Sequence, residues 1–145
     1  MGRFAVVLLA GAVSGLATFV PAAAPAQTAL VVRPGALDFH TKHVGTESYK
    51  RARITNRTGA DVRLLVTAGL PDDFGFGLMP GETCPSLEPE ILAAGDSCDA
   101  VVRFTPSAGF AGWKAEGSLI VTATDPTTGA SVAELSVPVY GQAVD

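Results

Sequence analysis

The sequence predicts an all-β fold, an immunoglobulin-like two-sheet antiparallel sandwich of seven to nine short strands with Greek-key connections. Three observations predict it. No stretch after residue 27 carries the periodicity of an amphipathic helix. Short runs rich in Val, Ile, Leu and Thr recur instead, several with strict in–out alternation. Gly, Pro, Asn and Asp separate these runs, as tight turns require. A small closed barrel is the other architecture that fits the pattern.

The first segment is read apart from the fold. Met1 to Arg3 is a short, positively charged start, and Phe4 to Val20 is almost wholly apolar. The small-residue pattern Ala24-Pro25-Ala26 follows. That order is a secretory signal peptide, and cleavage is expected after Ala26. A retained membrane anchor is the alternative. It is weakened by Ser14, Gly15 and Thr18, because a spanning helix needs about 20 predominantly apolar residues. Residues 1–26 are therefore assigned to the leader and 27–145 to one domain of ordinary size. No later apolar run is long enough to span a membrane, so the exported chain is expected to be soluble and secreted or held in the cell envelope or periplasm.

The strands follow in order. Leu30 to Arg33 is a short run stopped by Pro34-Gly35. Ala36 to His40 places Leu37 and Phe39 on one face. Ser48 to Asn56 turns Ala52 and Ile54 inward and Tyr49, Arg51 and Arg53 outward. Asn56-Arg57-Thr58-Gly59 closes it as a turn. The same Asn-Arg-Thr also matches a glycosylation acceptor, relevant only in a eukaryotic host. Ala60 to Ala68 alternates Val62, Leu64 and Val66 with Asp61, Arg63 and Leu65. Gly69 to Pro89 holds four Gly and four Pro, so it is expected to be a long loop with one short strand near Phe74 to Leu78. Glu90 to Ala93 is a short strand. Cys98 to Thr105 turns Cys98, Ala100, Val102 and Phe104 inward. Ser107 to Lys114 is a Gly-rich connection. Glu116 to Thr124 and Ser131 to Gly141 complete the set. Pro138 lacks an N–H, so it is expected at a sheet edge or a non-bonded position. The expected core is Leu37, Phe39, Ala52, Ile54, Leu64, Val66, Val102, Phe104, Leu119, Val121, Leu135 and Val137.

Charge excludes one class of partner. Loss of Arg3 with the leader leaves nine basic against fourteen acidic side chains, a net charge of about −5. Such a domain repels phosphate backbones, so nucleic acid is not an expected partner. Export to an oxidising compartment makes a disulfide the default for the only two cysteines, Cys84 and Cys98. The loop they close has about 15 residues and is worth roughly 3 kcal/mol. The alternative, a metal site with His40 and His43, matches no zinc-ligand spacing. In extended chain those two histidines point to opposite faces. No metal and no cofactor is expected.

Several residues could carry binding. Lys50, Arg51, Arg53, Arg57 and Arg63 concentrate positive charge in an acidic chain. Arg51 and Arg53 share an outward face and fit an anionic glycan or an acidic partner; a salt-bridged sheet face is the plainer reading. Phe110 and Trp113, between Gly109 and Gly112, fit a sugar-stacking or protein-anchoring loop. They fit equally a loop folded back to lid the end of the sandwich. Asp72-Asp73 reads as a solvated turn. No nucleophile-elbow or phosphate-loop pattern is present, so an enzyme is not expected.

One resemblance covers most of the exported chain, about residues 34 to 141. Leu37-Asp38-Phe39, Val44-Gly45-Thr46, and Ile54-Thr55-Asn56 with Thr58-Gly59 resemble the opening of the abnormal-spindle and hydin-type immunoglobulin-like domains. These are related in fold to the major sperm protein, and bacterial versions are described as choice-of-anchor D domains. Asp73-Phe74, Cys84, the run Leu92 to Cys98, Val102 to Pro106, Gly117 to Val121 and Val139-Tyr140-Gly141 continue the likeness. The resemblance implies a seven-stranded sandwich, a Cys84–Cys98 disulfide and a structural or protein-interaction role. It supplies no catalytic residue. Two places depart from the pattern: His40 stands where the family often has Gly, and Phe110 to Trp113 is bulkier than the usual small-residue turn. The expected function is a secreted, non-enzymatic interaction module. Its partner is an unknown protein or a surface glycan. The alternatives are a carbohydrate or cell-wall module using the loop aromatics, and a chaperone-like module that captures a strand at an exposed edge.

Overall fold

The computed structural model describes residues 30–80 and 83–145, so the leader assigned to residues 1–26 lies outside the described residues. Among the described residues nine strands form two packed sheets. In chain order they are β1 (Leu30–Arg33), β2 (Leu37–His43), β3 (Ser48–Asn56), β4 (Val62–Gly69), β5 (Phe76–Leu78), β6 (Glu90–Leu92), β7 (Ser97–Phe104), β8 (Lys114–Thr124) and β9 (Ser131–Val144). The first sheet has the order β1-β3-β7-β5 and the second β2-β9-β8-β4-β6. This is the immunoglobulin-like sandwich expected from the alternating runs.

The pairing departs from an all-antiparallel sandwich at one place. β1 pairs antiparallel with β3, but β2 pairs parallel with β9. The chain passes at Pro34-Gly35 from the first sheet to the second, where it pairs with β9 running the same way. β2 also outlasts the expected Ala36–His40. Its register steps from Asp38 opposite Tyr140 to Thr41 opposite Gln142, so Phe39 and His40 share the single position of Gly141. That bulge absorbs one residue and lets pairing continue to His43. His40 takes the left-handed conformation there, φ 54°. A side chain is uncommon in that region, which is the structural content of His40 standing where a glycine is usual. β9 likewise runs past the expected Gly141, because β8 flanks it to Gln142 and β2 to Val144.

Alternation placed the core well. Eleven of the twelve expected core residues are buried; Leu135 is only half-buried against the core. Its part of β9 has no β2 neighbour, since β2–β9 pairing starts at Leu37 opposite Val139. Pro138 sits just before that start, opposite Ser118 of β8, which meets the edge expectation. β7 differs in the other direction. Its outward Asp99 and Val101 are buried as well as its inward face. The segment after β5 runs beside it, with Met79 N–H donated to Val101 O and Cys84 N–H to Asp99 O.

The stretch Gly69 to Pro89 contributes more to the core than its composition suggests. A 3₁₀ turn, Asp72–Phe74, drops Phe74 inward, and β5 adds Phe76. With Phe39 and Phe104 they form an aromatic cluster, centroids 4.2 Å apart for Phe76 and Phe104 and 5.4 Å for Phe39 and Phe104. Gly141 makes room for it: a Cβ there would lie 2.8 Å from the Phe104 ring. Cys84 and Cys98 are disulfide-bonded and buried, which ties the loop to the start of β7. Asn56 is fully buried. Its Nδ2 donates to Ala60 O and Leu92 O, while its Oδ1 accepts from Thr58 N–H and Oγ1–H. The Asn56–Gly59 turn is thus a satisfied polar knot that also holds β6.

Candidate functional site

The arginines singled out in β3 lie on the outer face of the first sheet. Parity forces this, because Ala52 and Ile54 between and beside them are inward. Both meet Asp99 of β7. Arg53 donates Nε–H to Oδ1 at 3.0 Å and Nη2–H to Oδ2 at 3.3 Å. Arg51 donates from Nη1 to Oδ2 at 3.4 Å. Asp99 is the buried partner, and the two guanidiniums remain 66% and 62% exposed for Arg51 and Arg53. The Arg53 hydrogen bond is the main cause holding the Asp99 carboxyl below the ordinary carboxylate range; burial opposes it, and the charges of Arg53 and Arg51 add to it. The salt-bridged reading of these arginines is what the geometry shows, with most of each side chain still free to solvent.

The aromatic loop divides its two residues. Phe110 is half-buried, its ring 4.9 Å from Phe74, and so lids the aromatic cluster. Trp113 is 65% exposed although its backbone is fixed: its O accepts from Ala143 N–H and its N–H donates to Phe110 O. Only one of the two aromatics is used by the core.

The histidines do not converge. His40 is held by Asp38, which accepts its backbone N–H at 2.7 Å and lies 2.9 Å from Nδ1. The Nδ1 of His43 is 2.6 Å from the Asp145 carbonyl. Among the described residues no three His, Cys, Asp or Glu side chains gather as a metal-binding group. Asp72 and Asp73 lie on the exposed 3₁₀ turn, in keeping with a solvated turn. No described helix is long and apolar enough to cross a membrane.

One feature was invisible to pattern reading. Among the described residues, β9 is paired with β8 only from Ser131 to Val137, and no described strand lies on the other edge of this half-strand. β1 is likewise paired on one side only, with β3. The two free edges flank a cleft of about 280 Å³ lined by Leu30, Val31, Val32, Leu135, Ser136 and Val137. The other sheet edges are guarded. β5 and β6 are three residues long, and β2 is bulged and carries Asp38, His40, Lys42 and His43. Short length, bulges and charge are the usual protections against pairing with another chain. The free half of β9 has one charge, Glu134, and ends in Pro138.

No protein-family model matches the chain, and no curated protein does. Solved structures do. The ASH/PapD-like domain 7 of human CEP192 is 14% identical, with 99% of each chain covered and a TM-score of 0.58. WR4, a member of the MSP family in C. elegans, is 14% identical over 79% of this chain and 98% of its own, TM-score 0.54. The E. coli chaperone DraB is 10% identical over 79% of this chain and 54% of its own, TM-score 0.55. The chain thus spans about half of the DraB chain but nearly all of the CEP192 and WR4 chains. At these identities the likeness is one of fold: an MSP-like, PapD-like immunoglobulin sandwich.

Proposed function

We propose that this is an exported, non-enzymatic protein-interaction module that takes up an extended strand of a partner in the cleft between β1 and the first half of β9. The observation that carries the reading is the unpaired Ser131–Val137 edge beside an apolar groove. An incoming strand would find unpaired backbone N–H and C=O groups along one rail and Val32 and Leu135 for its inward side chains. The other edges of the molecule are built to refuse such pairing. The name of the neighbour DraB, a chaperone, is in keeping with an interaction role. Affiliation with the hydin-type or choice-of-anchor D domains rests on the sequence motifs alone.

Export is supported by the order of charged, apolar and small residues up to Ala26 and by the disulfide. Intact mass of the protein recovered from the envelope or medium should correspond to a chain starting at Gln27. A chain beginning at Met1 in the membrane fraction would overturn the leader assignment. Strand uptake is tested with a photo-crosslinking residue at Ser136, introduced in the native host. The cross-link should map to an extended partner segment, and amide exchange across Val132–Val137 should slow in the complex. Equal exchange in the free and bound protein would end this reading.

The exposed indole of Trp113 favours a second reading, a carbohydrate or cell-wall ligand held at that loop. Titrating cell-wall fragments should then shift tryptophan emission, and Trp113→Ala should abolish binding. No shift with any fragment would remove it.

A further inference from the structure

We infer that the outer face of the first sheet docks an extended acidic segment of a partner protein. This surface is distinct from the strand-uptake cleft and stands whether or not that cleft is used.

The register builds the face. Arg33 of β1 lies directly opposite Arg53 of β3, and Tyr49 of β3 opposite Arg103 of β7. Arg51 lies between Tyr49 and Arg53 on the same outward parity. Four guanidiniums therefore share one side of a four-stranded sheet, with exposed Tyr49 among them. Among the described residues the acidic groups paired with them are Asp99, buried beneath Arg51 and Arg53, and Glu47, 3.8 Å from Arg103. Arg33 pairs with no carboxylate among the described residues. Among the described residues the face is net positive, on a chain that is net negative.

The fold does not need this. Neutralising Asp99 takes one arginine, and Arg53 already does it with two donors. Placing Arg33 directly across from Arg53 sets like charges side by side, which is unfavourable in a sheet. Asp99 instead acts as a brace: it holds Arg51 and Arg53 upright on the sheet while most of each guanidinium stays in solvent. Arginines fixed in this way lose less freedom when a second carboxylate arrives.

The chemistry of the occupant follows from fork and spacing. A guanidinium fork matches a planar carboxylate at two points, and Arg53 on Asp99 shows that match in this molecule. Outward side chains on β3 recur every second residue, about 6.8 Å apart. Carboxylates at alternate positions of an extended peptide recur at the same interval. The four exposed guanidiniums are spread over three neighbouring strands, which suits a chain laid across them rather than a small anion enclosed by them.

The test uses the exported protein and a fluorescent peptide of alternating Glu and Thr. Saturable binding is expected, weakening as salt rises and absent for the Gln-Thr counterpart. Arg33→Gln and Arg103→Gln, neither of which touches Asp99, should each lower affinity about tenfold with an unchanged melting temperature. Lys114→Gln, on the second sheet, should bind as the parent does. Absence of saturable binding, or parent-like binding by both arginine variants, overturns the proposal. Tighter binding of polygalacturonate, or of phosphatidylglycerol vesicles, than of the peptide also overturns it, by assigning the face to a polyuronate or a membrane.

Discussion

At the scale of single residues, the aromatic cluster and Trp113 show opposite uses of a ring. Phe104 is fully buried and touches Phe39, Phe74 and Phe76. Phe104→Ala removes the centre of that cluster, and the surrounding sheets cannot close the cavity. Chemical denaturation should show a loss of about 3–5 kcal/mol; a loss below about 1 kcal/mol would contradict the packing described. Trp113 is mostly in solvent, so Trp113→Ala should leave stability within about 0.5 kcal/mol. In the parent its emission should be that of a hydrated indole and be quenched by iodide. A blue-shifted, unquenchable emission would place the ring in a lid that the structure gives to Phe110 instead. The residues that sequence reading placed rightly are those with a neighbour rule to obey. Parity alone sends Arg51 and Arg53 outward and Ala52 and Ile54 inward. Parity says nothing of Asp99, whose burial depends on a segment fifteen or more positions earlier lying alongside β7.

At the scale of elements, the loop between β5 and β6 is the clearest case of structure imposed from a distance. Pro80, Pro85 and Pro89 lack the N–H that regular pairing needs. It is nonetheless anchored by the Cys84–Cys98 disulfide, by Val66 N–H donated to Pro85 O, and by Cys84 N–H donated to Asp99 O. Replacing both cysteines by serine should cost about 2–4 kcal/mol in unfolding experiments, mainly by freeing the unfolded chain. The strands should survive, since the sheets pair without it. Far-ultraviolet circular dichroism that kept its β signal, with a lowered midpoint, would match; loss of the β signal would show that the bond is needed for the topology. The free half of β9 belongs to this scale too. Its sequence, Ser131 to Val137, alternates like any half-buried strand. Nothing local says that β2 starts too late to cover it.

At the scale of the whole molecule, acid should weaken the fold. Asp99 and Asp125 titrate below the ordinary range in the folded state. Asp99 is lowered chiefly by the Arg53 hydrogen bond, and Asp125 by the backbone N–H of Thr128 and of Thr127. Their unfolded forms titrate near about 3.9. Folded groups that hold protons less tightly stabilise the fold above that value. The contribution is lost as pH falls through it toward the folded values. The melting temperature should therefore be flat from about pH 6 down to about pH 5 and decline below about pH 4. Asp99→Asn should shallow that decline. A melting temperature that rose on acidification would contradict the ion pairs on the first sheet.

The sequence by itself determined the sandwich class, the strand parities, most of the core and the pairing of Cys84 with Cys98. These follow from local chemistry: period-two alternation buries one face, Gly and Pro end runs, and two cysteines behind a leader-like segment are expected to pair with each other. Only the tertiary structure decided which edges stay open, that β2 runs parallel to β9, that Phe110 is covered while Trp113 is not, and that Arg33 and Arg103 join the β3 arginines on one face. Each of these depends on which strand lies beside which, at what register. That is a property of contacts between residues far apart in the chain, and local pattern carries no trace of it.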